Sequence, residues 1–123
     1  MKGYYNRGKM NILFNQKELT VNNNRISFSH EIKDISVLSD KIIVLLDIPY
    51  SDNDTINNIY AVSYMGKIIW RSEDLKQLYP KQINLPYDYI TVYEDIVQAV
   101  DFYGRRYFIN VENGYVIGRD IVK

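Results

Sequence analysis

No cysteine occurs in the 123 residues, and there is a single histidine, His30. The first absence excludes disulfides, thiolate nucleophiles, cysteine-ligated zinc and iron–sulfur clusters, and it fits a reducing compartment. The second excludes metal sites built from several imidazoles and leaves one candidate imidazole base. Charge of one sign is also missing. Fifteen Lys and Arg balance fifteen Asp and Glu, and the segments 1–24, 25–71 and 72–123 sum to only +3, −1 and −2. The basic start (Lys2, Arg7, Lys9, Lys17) is too small for a nucleic-acid arm, so no nucleic-acid partner is expected. Long apolar runs are lacking as well. The longest is Ile42–Leu46, far below the roughly 18 residues that a membrane span needs. The opening MKGYYNRGKM has no apolar stretch of the signal-peptide kind, so the expectation is a soluble cytoplasmic protein. The six glycines form neither a dinucleotide fingerprint nor a Walker pattern.

What is present leans towards strand. Ile, Val and Tyr supply 17, 10 and 12 residues, against two alanines. β-Branched and aromatic side chains suit a pleated, half-buried surface, whereas alanine is the best helix former. The hydrophobic share of 46% supports one domain over residues 1–123. Strands are predicted at 10–14, 19–21, 25–30, 35–38, 41–47, 59–64, 67–71, 88–93, 96–102, 105–111 and 115–122, separated by Asn-, Asp- and Gly-bearing turns. Asn113-Gly114 is the strongest hairpin signal. Lys41–Asp47 is apolar at successive positions and reads as a central strand covered on both faces. One short helix is predicted after Ser72, which can cap it, with Leu75, Leu78 and Tyr79 on one face and Pro80 as its stop. The expected fold is all-β, an antiparallel meander of about ten strands with that one helix. It would form two blade-like four-stranded units or a two-sheet sandwich.

Residues 35–71 and 90–119 look like an internal repeat. Ile35-Ser36-Val37 with Asp40 parallels Ile90-Thr91-Val92 with Asp95, and Gly66, Ile68-Ile69 and Arg71 parallel Gly114, Val116-Ile117 and Arg119. Within the first unit, residues 58–71 (NIYAVSYMGKIIWR) resemble a blade of the quinoprotein-type β-propeller. There the outer strands read aliphatic-Tyr-Ala-aliphatic, then a turn, then Gly-Lys-aliphatic-aliphatic-Trp. The tryptophan of that family docks between blades, so the resemblance implies a packing role for Trp70. It implies no activity. A propeller needs four or more blades, and two units fall short of closure. A small two-sheet protein or an oligomer of partial units, including a homodimer, is what remains.

Chemistry-bearing clusters are sparse. His30 reads as a strand-end surface residue, with Ser29 and Glu31 on the opposite face by strand alternation, and no nucleophile-elbow motif accompanies it. Asp52 and Asp54, near Asp47 and Asn53, form an oxygen-rich loop, but the glycine of a calcium loop is missing because Ile56 and Asn57 stand at its fifth and sixth positions. A solvated loop is the reading, and no metal or cofactor is expected. Arg105 and Arg106 should point to opposite faces. Along residues 87–93, period two puts Tyr87, Tyr89, Thr91 and Tyr93 on one face and Ile90 and Val92 on the other. Tyrosine supplies rigid contact area with a hydroxyl at its tip. The expected function is therefore a non-enzymatic protein-binding module, of the kind exemplified by small immunity-type inhibitors that cover a partner. Its contact residues would be Tyr87, Tyr89, Tyr93, Asp47, Asp52 and Asp54. The alternatives are a module that binds a sugar or peptide on the tyrosine row, an enzyme using carboxylates and His30, and a structural homo-oligomer.

Overall fold

The computed structural model describes residues 2–7 and 10–122, with side chains from Asn11 onward. Lys9 of the basic start thus lies outside the described residues. Among the described residues, twelve strands and one helix follow one another: β1 (Lys2–Arg7), β2 (Met10–Asn15), β3 (Glu18–Val21), β4 (Asn24–Ser27), β5 (Ile32–Val37), β6 (Lys41–Leu46), β7 (Ile59–Ser63), β8 (Ile68–Arg71), α1 (Leu75–Leu78), β9 (Tyr87–Tyr93), β10 (Ile96–Asp101), β11 (Arg105–Asn110) and β12 (Val116–Ile121). The fold is all-β and antiparallel, as the composition requires. It comprises three four-stranded sheets, β1–β4, β5–β8 and β9–β12, each with its strands in sequence order. This corrects the expectation of about ten strands in two units. The additional strand is β1, KGYYNR, which has no aliphatic alternation to announce it and is defined by six backbone pairings with β2.

Two cores alternate with the three sheets. One joins β1–β4 to β5–β8 through Ile12, Phe14, Leu19, Val21, Ile35, Ile42, Val44 and Leu46. The other joins β5–β8 to β9–β12 through Ile43, Leu45, Ala61, Trp70, Val97, Ala99, Tyr107 and Ile109. β6 serves both. Its even-numbered residues face the first core and its odd-numbered ones the second, so the whole strand is buried. Trp70 packs between the second and third sheets and donates its Nε1 hydrogen to the Val111 carbonyl at 2.8 Å.

Three local features depart from the sequence reading. Asp74, not Ser72, caps α1, accepting the Lys76 amide hydrogen, and the helix is a single turn. The segment at Asn113-Gly114 is longer than a two-residue hairpin: only Gly114 has a positive φ, 78°, and its amide reaches back to the Asn110 carbonyl. A Cβ at Gly114 would lie 2.6 Å from Trp70 Cε3, so that position needs glycine for space as well as for φ. In β9, Tyr89 pairs with Val100 but Tyr87 pairs with Asp101. This bulge at Asp88 inserts one residue and reverses the alternation. Tyr87 therefore turns into the second core, 2% exposed, while Tyr89 and Tyr93, 47% and 63% exposed, stay on the outer face of the third sheet. The single tyrosine row expected from strict alternation does not exist.

Candidate functional site

A groove of about 740 Å³ opens where the second and third sheets meet. One wall is the β6–β7 loop, residues 47–58. Another is the connector from α1 to β9, and the β10–β11 turn closes the end. Each wall is held by defined contacts. In the loop, Asp52 accepts the amide hydrogens of Asp54 and Thr55 at 3.0 and 2.9 Å and the Thr55 hydroxyl at 2.7 Å. Such side-chain-to-backbone bonds are what make Asp a turn former. Arg71 anchors the far end of the loop by donating to the carbonyls of Ile56 and Asn57, both at 2.9 Å.

Beneath the groove lies Asn58, 1% exposed. Its amide nitrogen donates to the carbonyls of Leu46 and Tyr87, and its oxygen accepts the Tyr87 amide hydrogen. One side chain thus ties the end of β6 to the start of β9. The connector is fixed from the other side by Arg105, which donates to the Ile83 carbonyl at 2.7 Å and to the buried Asp101 carboxylate at 2.7 Å. Arg106, on the opposite face, holds Asp120 bidentately at 2.8 and 2.7 Å. That bond holds the Asp120 carboxyl below the usual carboxylate range.

The rim is aromatic. Tyr50, Ile83, Phe102 and Tyr103 are 89%, 72%, 68% and 61% exposed and all line the groove. Tyr50 and Phe102 meet edge to face across it, centroids 6.3 Å apart. Polar groups are interleaved: the carboxylates of Asp47, Asp52 and Asp88, with Lys33 2.8 Å from Asp88. Of the residues singled out in the sequence, Asp47, Asp52 and Tyr87 line this groove. Asp54 borders a neighbouring hollow of about 390 Å³, beside Arg71 and Asp74. Tyr89 and Tyr93 line neither described hollow. The residues that sequence reasoning missed are Tyr50, Ile83, Phe102 and Tyr103. Phe102-Tyr103-Gly104 carried a usable signal, because two large aromatics occupy a hairpin turn where polar residues are usual.

His30 is not on a strand. Residues 29 and 30 form a bend between β4 and β5, so the Ser29 hydroxyl and His30 Nδ1 meet at 2.7 Å rather than pointing apart. His30 Nε2 lies 2.8 Å from Asp52 Oδ2. A carboxylate only accepts, so Nε2 carries the hydrogen, and in the neutral ring Nδ1 accepts from Ser29. Neither Ser29 nor His30 lines the groove. The chain's visible effect is to fasten the loop to the β4–β5 link. Among the described residues, no cluster of three or more His, Cys, Asp or Glu side chains is placed to hold a metal.

The loop is acid-sensitive by this construction. The Thr55 hydroxyl, then the amides of Thr55 and Asp54, hold the Asp52 carboxyl well below the usual carboxylate range, with His30 adding to them and desolvation opposing. A carboxyl whose folded value is depressed contributes stability above its unfolded value, and that contribution declines as pH falls below it. The loop is therefore at full strength at neutral pH and weakens below about pH 4, with the loss still incomplete near pH 2. Melting temperatures measured across that range should fall less steeply on the acid side for Asp52→Asn than for the parent chain. Parallel acid limbs would remove Asp52 from this role.

Residues 9–121 match the family described as a domain of unknown function, DUF7957. The chain belongs to that family. This DUF7957 member also resembles two solved structures of computationally designed proteins, Ika8 and Ika4. Each gives a TM-score of 0.65 at 7% identity over 95% of this chain. The match covers 35% of the Ika8 chain and 69% of the Ika4 chain, so this chain spans about a third of the former's length. At that identity the likeness concerns the fold alone. No curated protein matches. Among the described residues no helix is long and apolar enough to cross a membrane.

Proposed function

We propose that this DUF7957 chain is a non-enzymatic protein-binding module whose contact surface is the groove between the second and third sheets. The observation that carries this reading is the rim. Tyr50, Ile83, Phe102 and Tyr103 stand largely in water around one concavity, at a cost that a folded protein ordinarily avoids by burial. Aromatic anchors around a firmly built floor are the usual makings of a binding hot spot. The groove's size suits a segment of a partner rather than a broad flat face. An inhibitor that inserts nothing and covers its target is one form this takes, and a reducing, cytoplasmic setting accords with the missing cysteines.

A second reading is supported by the outer face of β9–β12, where Tyr89 and Tyr93 are exposed: two copies could pair there. One experiment separates the readings. Tagged chain is used to capture proteins from native lysate, beside a Tyr50→Ser, Phe102→Ser double variant whose changes touch only exposed rings. A stoichiometric foreign protein retained by the parent and lost by the variant is the expected result. Bait alone, at twice the monomer mass, shifts the assignment to self-association. Capture of the same protein by both forms removes the groove as its seat.

A further inference from the structure

The groove has a charge as well as a shape, and the chemistry of its occupant follows, on the reading that the groove is the contact surface. Three carboxylates line it, Asp47, Asp52 and Asp88, against one ammonium, that of Lys33. Lys33 is already committed to Asp88 at 2.8 Å. Asp52 is spent on its own loop and on His30, and its negative charge stays beside the groove. Asp47 is exposed, and no described residue is bonded or ion-paired to its carboxylate. The concavity that the exposed rings of Tyr50 and Phe102 line therefore carries uncompensated negative charge.

A cation is what such a place takes, because a carboxylate and a ring face attract it together. Guanidinium fits better than ammonium. It is planar, stacks on a ring, and forks to a carboxylate with two parallel hydrogen bonds. The protein pairs these groups elsewhere: Arg71 lies over Tyr60, Arg106 over Phe108 and Arg119 over Tyr79. At the groove itself, Arg105 sits 5.4 Å from the Tyr103 ring centroid, whereas neither Tyr50 nor Phe102 has an arginine over it among the described contacts. We infer that the groove takes a polypeptide segment bearing an arginine, its guanidinium between Asp47 and the Tyr50–Phe102 pair and its apolar neighbours against Ile83 and Leu85.

The test uses a phage-displayed random dodecapeptide library panned against the full chain. Selected peptides are then titrated against three proteins: the parent, Asp47→Asn, and the Tyr50→Ser, Phe102→Ser double variant. Arginine-bearing peptides should enrich, lose binding to the double variant, and weaken about tenfold on Asp47→Asn. Replacing the peptide's arginine with leucine should give a loss of similar size. Peptides that need Tyr50 and Phe102 but lack arginine, or ignore Asp47→Asn, overturn the inference and leave the groove as contact surface. Peptides indifferent to both variants, or no enrichment above background, overturn the inference and the groove reading together.

Discussion

Replacing Asn58 with leucine lowers the stability of the chain by about 4 kcal/mol. The size follows from what the amide holds. Three hydrogen bonds end on a side chain that is almost wholly buried, two donated to the Leu46 and Tyr87 carbonyls and one accepted from the Tyr87 amide. Leucine has a similar volume and fills the space, so cavity formation contributes little. The cost arises because backbone groups at the end of β6 and the start of β9 lose their partner where water does not reach, about 1–3 kcal/mol for each group left unmade. The groups are coupled, so the losses do not add in full. Chemical denaturation checks this through the midpoint at unchanged slope. A loss below about 1 kcal/mol would mean that the backbone re-pairs locally and that Asn58 is not the tie between the second and third sheets.

The second large effect lies at the other wall. Asp101→Ala should cost about 3–4 kcal/mol, in the range for breaking a buried ion pair from one side. The Asp101 carboxylate is fully enclosed and accepts from the amides of Tyr103 and Arg105 as well as from Arg105 Nε. Alanine strands two turn amides and a guanidinium that is itself largely covered. Arg105 also donates to the Ile83 carbonyl, so the damage extends to the connector. For a chain of this length the melting temperature should drop by roughly 10–15 °C. Asp101→Asn keeps an acceptor for the turn amides and loses only the charge, so it should fall between parent and alanine. Equal losses for Asn and Ala would assign the whole effect to the ion pair.

The strand pattern was legible because it rests on residue type and period. β-Branched runs bounded by Asn, Asp and Gly fixed eleven of the twelve strands, and the doubly apolar Lys41–Asp47 announced a layer covered on both sides. β1 was invisible because its pairing is made by backbone atoms that any sequence carries. The site was less legible for a related reason. Period two is a rule about an unbroken ladder, and a single inserted residue at Asp88 sent Tyr87 into the core and left Tyr89 and Tyr93 outside. Likewise, strand alternation does not carry through Ser29 and His30, where the chain bends. Asp47 and Asp52 were singled out by charge and do line the groove. Tyr50, Ile83, Phe102 and Tyr103 were not, because three separate segments meet there and no local spacing encodes a meeting of segments distant in sequence.

The shared position of β6 bears on how the molecule comes apart. Loss of the first or of the third sheet would uncover one core only; loss of the middle sheet would uncover both. Partial opening is thus confined to the two ends of the stack, β1–β4 and β9–β12, and the amides of β6 can meet solvent only when the middle sheet itself comes apart. Every residue that lines the groove lies at or beyond Lys33. Fluctuations that peel β1–β4 away would leave those walls standing, whereas fluctuations that release β9–β12 would take Tyr87, Phe102 and Tyr103 with them and dismantle the groove.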